Sequence, residues 1–232
     1  MKYFLTIIFP LVVCLPLMAQ SGLGTWNILN IRSELNNKWS LFAEGQIRSL
    51  SFYNQFHYYE VKGGFQYRLD KNFTAAVGIG SFDTYLAGGN FTQIVNDETR
   101  IWQQIQMNMP FHRLRFEHRY RAEQRFTSNG FRNRFRYRLG CVLPINRPTM
   151  AVGTLYLNMW NELFFTNKAA YFERNRLGLI VGYNVNPRLS LQMGWVHQFD
   201  YRINDETGRD FLQISFLVDA PPLSSLFKKN KK

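Results

Sequence analysis

The chain has 232 residues, of which 28 are lysine or arginine and 16 are aspartate or glutamate, giving a formal net charge of +12. Aromatic residues make up 16% of the chain, a share that argues against a disordered protein. The two cysteines are Cys14 and Cys141. Because Cys14 lies in a segment that we expect to be removed, an internal disulfide is excluded, and stability must come from burial or from a membrane.

Residues 1–19 are typical of a secretory signal peptide, which predicts export. Lys2 supplies the positive region, residues 3–18 are uncharged and mostly apolar, and Ala19 is a small residue at the expected cleavage site. A membrane-spanning helix is the alternative, but the run is short, contains prolines and is followed by no basic cluster. A lipoprotein is also disfavoured, since the residue before Cys14 is a valine rather than a small residue.

The remaining chain is divided into eleven segments, each about 10 to 14 residues long, which is the length of a tilted strand that crosses a bilayer. They lie near residues 25–35, 39–50, 57–69, 73–86, 98–109, 113–126, 131–143, 150–165, 173–185, 189–200 and 209–218. No later stretch reaches the roughly 18 apolar residues of a spanning helix, so a membrane protein with this sequence is expected to be a closed barrel. The first segment is the weakest, because Trp26 and Ile28 share a face with Arg32 and Glu34. Bacterial barrels close with an even number of strands, so the count predicts 10 to 12 strands with one segment missed or incomplete.

Five groups of turn-forming residues predict tight reversals between segments. They are residues 36–38, 70–72, 110–112, 146–148 and 186–188. The other connections are mostly longer and lie near residues 51–56, 87–97, 127–130, 166–172 and 202–208. Short turns on one rim and longer loops on the other predict an outer-membrane barrel with periplasmic turns and extracellular loops.

Arginines alternate with apolar residues between positions 113 and 138. They are Arg113, Arg115, Arg119, Arg121 and Arg125 at odd positions, followed by Arg132, Arg134, Arg136 and Arg138 at even positions. The positions between them include Leu114, Phe116, Tyr120, Phe126, Phe131, Phe135 and Leu139. A helix would spread these arginines around its whole surface, whereas a strand keeps each set on one side. The pattern therefore predicts strands with one face in lipid and the other in an aqueous lumen.

The same alternation places further charges on the predicted inner face. They are Glu44, Arg48, Glu60, Lys62, Arg68, Glu98, Arg100, Glu117, Glu123, Glu162, Arg174 and Arg176. The candidate lumen residues are the nine arginines of residues 113–138 together with Glu117, Glu123, Glu162, Arg174 and Arg176. So many guanidinium groups repel one another unless carboxylates, water or anions lie among them. In one interpretation the glutamates bridge the arginines into a plug that fills a narrow lumen. In the other, the arginines line an aqueous path that prefers anions.

A lipid-acting outer-membrane enzyme is an alternative function. Its chemistry needs a nucleophile, a base and an orienting group. The histidines are His57, His112, His118 and His197, and none has a serine two residues away. We therefore predict that the protein is not an enzyme. Because no cluster of His, Cys, Asp or Glu has metal-ligand spacing, we predict no metal and no cofactor.

A soluble barrel that binds a small ligand is a second alternative, and it would place the charges outside and the apolar residues inside. Aromatic residues such as Tyr58, Trp102, Trp160 and Trp195 lie mostly toward segment ends, as in the interfacial girdles of membrane barrels, which disfavours it. The export signal argues against nucleic acid as the partner of the basic chain. The expected partners are outer-membrane lipid and small anions in the lumen, and the oligomeric state is left open.

Three stretches together resemble the family catalogued as domain of unknown function 2490. They are FEHRYRAEQRF followed by FRNRFRYRLG, NELFF at residues 161–165, and ERNRLGLIVGYNVNPRLSLQMGWVHQ at residues 173–198. The resemblance spans nearly all of the mature chain and implies an outer-membrane β-barrel without an established activity, so no catalytic residues are carried over. One departure lies at the C-terminus, where the chain continues past Phe216 and Val218 instead of ending on an aromatic residue.

These observations predict an all-β protein, an antiparallel transmembrane β-barrel of 10 to 12 strands in the outer membrane of a Gram-negative bacterium. Residues 1–19 are the expected signal peptide, residues 20–218 the barrel and residues 219–232 a basic C-terminal tail. The expected function is structural, or that of an anion-preferring channel.

Overall fold

The computed structural model describes residues 22–201 and 206–222. The predicted signal peptide, residues 202–205 of a predicted connection and residues 223–232 of the predicted tail lie outside this range. The described residues form only strands, turns and irregular segments. None of their segments is a helix long and apolar enough to cross a membrane.

The described residues form twelve strands. They are β1 (Gly24–Glu34), β2 (Trp39–Ser51), β3 (Asn54–Arg68), β4 (Phe73–Tyr85), β5 (Ile94–Asn96), β6 (Glu98–Phe111), β7 (Leu114–Thr127), β8 (Gly130–Pro144), β9 (Leu155–Thr166), β10 (Phe172–Asn186), β11 (Leu189–Asp200) and β12 (Thr207–Ala220). Eleven are long, and β5 has three residues and pairs only with β4.

The eleven long strands close into a barrel. Each pairs antiparallel with its neighbour along the chain, with β4 beside β6, and β12 then pairs with β1. The β1–β12 pair is parallel, with Gly24 opposite Phe211 and Ser33 opposite Ala220. The predicted all-β barrel of 10 to 12 strands is confirmed. The expectation of an even number is not met, because an odd number of strands that run alternately up and down leaves the first and last strands pointing the same way.

Two rims bound the barrel. The turn rim carries the connections 35–38, 69–72, 112–113, 145–154 and 187–188, and the loop rim carries 52–53, 86–97, 128–129, 167–171 and 201–206. The difference in length between the rims is smaller than expected, since two loop-rim connections have only two residues.

The predicted tight reversal at 146–148 is instead a connection of ten residues, 145–154. Arg113 holds it, because its Nη2 donates hydrogen bonds of 3.0 to 3.2 Å to the carbonyls of Pro144, Ile145 and Arg147. Turn-forming residues mark a loop of this kind, but its length depends on such distant contacts.

The two faces of the barrel wall differ as the alternation predicted. On β10 the apolar Leu177, Leu179 and Val181 are 43 to 45% exposed on the outer face, whereas Arg176, on the inner face, is 6% exposed. The inner face also contains an apolar cluster of Trp26, Trp160, Ile180, Val196 and Phe211. This cluster explains the mixed face of the first segment, because Trp26 and Ile28 pack inside the barrel together with the polar residues of β1.

Glycines make room for the inward aromatic rings. Gly78 lies opposite Trp102 and Gly178 opposite Trp160 on neighbouring strands. A Cβ atom at either glycine would overlap atoms of the facing indole ring. Such glycine and aromatic pairs let the sheet curve while the ring covers the bare backbone.

Candidate functional site

A cavity of about 830 Å³ lies inside the barrel. It reaches Lys168, Ala169 and Tyr201 at the loop rim and extends inward to Asn158 and Leu217. Its volume falls in the range of sites that bind small molecules. The cavity is therefore large enough for a small organic solute as well as for water.

The cavity wall is strongly cationic. Among the described residues that line it are twelve arginines and two lysines, against five glutamates and one aspartate. The arginines are Arg48, Arg100, Arg119, Arg121, Arg125, Arg132, Arg134, Arg136, Arg138, Arg174, Arg176 and Arg209, and the acids are Glu44, Glu60, Glu98, Glu162, Glu173 and Asp200. A concave wall with such an excess of one charge attracts ions of the opposite sign.

Ten of the fourteen candidate lumen residues line this cavity. They are Arg119, Arg121, Arg125, Arg132, Arg134, Arg136, Arg138, Glu162, Arg174 and Arg176. Glu123 lies behind the cavity wall and is 2% exposed. Arg115 and Glu117 form an ion pair of 2.8 Å nearer the turn rim, and Arg113 holds the 145–154 connection instead of lining the cavity.

Nine charged side chains form one unbroken chain of ion pairs along the inner wall. In order they are Arg100, Glu98, Arg125, Glu173, Arg134, Glu123, Arg136, Glu162 and Arg119, so that each glutamate lies between two arginines. Arg136 joins two deeply buried acids, since its Nη1 donates to Glu123 and its Nη2 to Glu162, both at 2.7 Å. This ion-pair chain is what the plug interpretation expects of part of the wall.

Aromatic rings hold several of the arginines. The guanidinium carbon of Arg48 lies 3.8 Å from the ring centroid of Trp26, and that of Arg138 lies 4.0 Å from Trp160. Arg176 lies 4.9 Å from both Trp26 and Phe164. Stacking on a ring covers one face of the planar guanidinium but leaves its N–H groups, which lie in the plane, free to donate.

Four of the described arginines that line the cavity form no ion pair. Arg132 and Arg209 lie near the loop rim, at the starts of β8 and β12, whereas Arg138 and Arg176 lie deeper in the barrel. Arg138 makes no hydrogen bond or ion pair with a described residue besides its stacking on Trp160. Arg176 donates from Nε to Gln198 at 2.8 Å and forms no ion pair within the described ranges. Both side chains line the cavity. The excess positive charge of the wall is thus concentrated on side chains whose donors remain available.

A second cavity of about 180 Å³ lies at the turn rim and is lined by residues that include Arg32, Glu34 and Arg68. It shares no lining residue with the large cavity. The rings of Phe42 and Trp102 lie between the two sets of lining residues, with centroids 6.3 Å apart, and Trp102 is 1% exposed. On the β2 and β6 side of the barrel, buried rings therefore lie between the two cavities, whereas on β11 and β12 the lining of the large cavity extends to Gln192 and Leu217, close to the turn rim.

The sequence pattern missed Glu173, Asp200 and Arg209, which all line the large cavity. Glu173 has the wrong parity for an inward residue, but a register shift between Phe172 and Arg174 lets its carboxylate reach Arg134 at 3.0 Å. The alternation of Gln192, Gln198 and Asp200 on β11 was sufficient to identify Asp200 as an inward residue. Arg209 lies on the same inner face of β12 as Gln213 and Ser215.

Comparison with known proteins identifies a family but no close relative. No curated protein and no solved structure matches the chain. The model of a protein family of unknown function, DUF2490, matches residues 23–209, which include β1 to β11 and the whole ion-pair chain. Since this match covers well over half of the sequence, the chain belongs to the DUF2490 family.

Proposed function

We propose that the protein is an outer-membrane β-barrel of a Gram-negative bacterium, with its outer face in lipid. The long strands have 11 to 15 residues, enough for tilted strands to cross a bilayer. Large apolar side chains such as Phe65, Val77 and Ile105 are about half exposed on the outer face. The apolar outer face and the predicted signal peptide both support this location.

Cysteine labelling in whole membranes tests the orientation of the wall. In a chain that carries Cys141→Ser, Arg115→Cys should react with a membrane-impermeant thiol reagent and Phe116→Cys should not. These two neighbours lie on opposite faces of β7, so they form a matched pair. Preferential labelling at position 116 would overturn the proposal that the outer face lies in lipid.

Within this barrel, the lumen binds anions that enter from the loop rim. We call it an anion receptacle because solutes are proposed to enter it at one end only. The observation that carries this proposal is the excess of fourteen basic over six acidic side chains around one cavity. The cavity extends toward the loop rim and shares no lining residue with the cavity at the turn rim. An anion that enters from the loop rim would meet a cationic wall and a floor of side chains, which favours binding over free passage.

An anion-preferring channel is the other function that the arginines suggest. It requires a continuous aqueous path, and the buried Trp102 beside Phe42 argues against one. Planar-bilayer recordings separate the two functions. We expect no steady conductance from the wild-type protein, and an anion-selective conductance would replace the receptacle with a channel.

Binding of citrate by the purified barrel in detergent micelles tests the receptacle directly. We expect saturable heat in isothermal titration calorimetry, weakened by added sodium chloride because salt screens the charges. A neutral sugar of similar size, glucose, is the control and should produce no binding heat. Absence of binding at low salt by citrate and by the other small organic anions tested would contradict the proposal.

We assign no catalytic reaction to the barrel. His118 shares a hydrogen bond of 2.9 Å with the Tyr137 hydroxyl, and His197 contacts Asp210 at 2.8 Å. No serine hydrogen-bonds to either histidine within the described ranges, which supports a binding role over acyl transfer.

A further inference from the structure

We propose that Arg138 and Arg176 form the specific binding site of this receptacle, and that they bind the carboxylate or phosphate group of a small hydroxylated organic solute. This inference rests on the proposed anion-binding lumen and names its ligand class. It follows from the register of three strands, from the partners of one glutamate and from the polar groups that lie deeper in the cavity.

The register places one carboxylate between the two arginines. Arg138 on β8 is the cross-strand partner of Glu162 on β9, and Glu162 is in turn the partner of Arg176 on β10. With about 4.8 Å between neighbouring strands, the backbones of Arg138 and Arg176 are about 10 Å apart. Both side chains line the same cavity, so one solute of about that length reaches both.

Glu162 is bound by other arginines. Its Oε1 accepts hydrogen bonds from Arg119 Nη2 at 2.6 Å and from Arg136 Nη2 at 2.7 Å. Neither Arg138 nor Arg176 forms an ion pair with Glu162. The carboxylate nearest to both arginines along the sheet is therefore committed to the ion-pair chain, and these two guanidinium groups keep their charge available.

The aromatic contacts fix the direction of the available donors. Arg138 lies over Trp160, and Arg176 is held between Trp26, Phe164 and a hydrogen bond to Gln198. A stacked guanidinium presents two parallel N–H groups at its edge, which match the two oxygens of a carboxylate or phosphate. Because the rings restrict these side chains before a ligand arrives, less conformational entropy is lost on binding.

Neutral polar side chains deeper in the cavity determine what the rest of the ligand is. Asn158 makes no side-chain hydrogen bond with a described residue, and it lies on β9 between Trp160 and Tyr156 on the same inner face. Gln192, Gln213 and Ser215 also line this part of the cavity. Amide and hydroxyl groups suit ligand hydroxyls rather than a further charge, so a sugar acid or a sugar phosphate fits better than a bare inorganic ion.

Titration of the full barrel in detergent micelles tests the site, with D-glucuronate as the carboxylate probe and glucose 6-phosphate as the phosphate probe. Fluorescence of Trp26 and Trp160 reports occupancy, since Arg138 lies over the Trp160 ring and Arg176 lies over the Trp26 ring. We expect saturable binding of at least one probe and none of neutral glucose. The probe that binds more tightly identifies the oxyanion.

Substitution then assigns the arginines. Arg138→Gln and Arg176→Gln should each weaken binding at least tenfold, and Arg138→Lys should restore part of it, because lysine keeps the charge but loses the planar fork. Arg115→Gln is the matched control, since Arg115 is paired with Glu117 and does not line the cavity. Heat-modifiable migration on gels verifies that each variant is folded.

The outcomes distinguish this inference from the proposed function. If the wild-type protein binds citrate but neither sugar probe, or if probe binding survives both glutamine substitutions in folded variants, the site assignment is overturned while the receptacle stands. If the wild-type protein binds none of the three anions, both proposals fail.

Discussion

The side-chain amides of Asn161 and Asn175 bind each other across the β9–β10 hairpin, on the outer face of the barrel. Each amide nitrogen donates to the other oxygen at 3.2 Å. The residues that follow them, Glu162 and Arg176, are cross-strand partners on the inner face. In the NELFF and ERNRL stretches that resemble the family, each asparagine therefore contributes to an amide pair on the outer face. The charged residue that follows each asparagine lies on the inner face.

Loss of this amide pair should destabilise the barrel in lipid. We expect Asn161→Ala or Asn175→Ala to lower the free energy of unfolding by about 1 kcal/mol, because each removes the two hydrogen bonds between the amides and leaves the remaining amide only its bond to a backbone carbonyl. The double variant should lose less than the sum of the two, since both substitutions remove the same interaction. Urea unfolding in phospholipid vesicles measures all three, and strictly additive losses would show that the amides do not interact.

Crowding at Gly178 should destabilise the barrel more than an added methyl elsewhere. A Cβ at this position would overlap the indole of Trp160, so we expect Gly178→Ala to cost about 1 to 3 kcal/mol of unfolding free energy. Gly45→Ala is the matched control, because nothing lies within 4 Å of a Cβ built there. Equal losses at the two positions in urea unfolding would contradict the proposed role of glycine in seating the ring.

The charged wall gives a third prediction. Glu123 is 2% exposed and accepts from both Arg134 and Arg136 at 2.7 Å. Glu123→Gln should lower the free energy of unfolding by about 3 kcal/mol, because Arg134 and Arg136 each lose one of the two carboxylates that they contact in the buried ion-pair chain.

Glu117→Gln provides the comparison for Glu123→Gln, since Glu117 has 29% of its side chain exposed and pairs with one arginine. Its substitution should cost less than 1 kcal/mol. Both effects are measured by urea unfolding at low salt. A loss at Glu123 no larger than that at Glu117 would show that the ion-pair chain does not stabilise the barrel.

Much of this architecture follows from local sequence pattern. Alternation is a property of single strands, so the arginines of β7 and β8 could be assigned to one face before any pairing was known. The parallel β1–β12 pair could not, because strand pairing between the two ends of a chain depends on closure of the whole sheet. The inward position of Glu173 could not be predicted for a related reason. A bulge in β10 changes the face on which this side chain lies, and no residue type in the sequence marks the bulge. The ion-pair partners of Glu162 could not be predicted either. Register places Arg138 and Arg176 beside Glu162, but the carboxylate is bound by other arginines whose long side chains reach it.

Trp102 should be the residue that keeps the two cavities apart. Its ring fills the inner face of β6 beneath Gly78 and packs near Phe42 and Phe82, with centroids 6.3 and 6.4 Å away. Trp102→Ala removes this ring at the level between the large cavity and the turn rim, so we expect a steady conductance in planar bilayers where the wild-type protein has none. Because the path then opened passes the arginine-lined cavity, reversal potentials in a salt gradient should indicate anion preference.

The matched control for Trp102→Ala is Trp39→Ala, which removes an indole that is 43% exposed and packs against the Tyr67 ring at the turn rim. It should leave the barrel non-conducting. Loss of a buried tryptophan costs about 3 to 5 kcal/mol, so folded protein must be verified by heat-modifiable migration before recording. Cation preference in the folded Trp102→Ala variant would contradict the electrostatic argument, because twelve arginines on the cavity wall cannot favour cations unless acids outnumber them along the path.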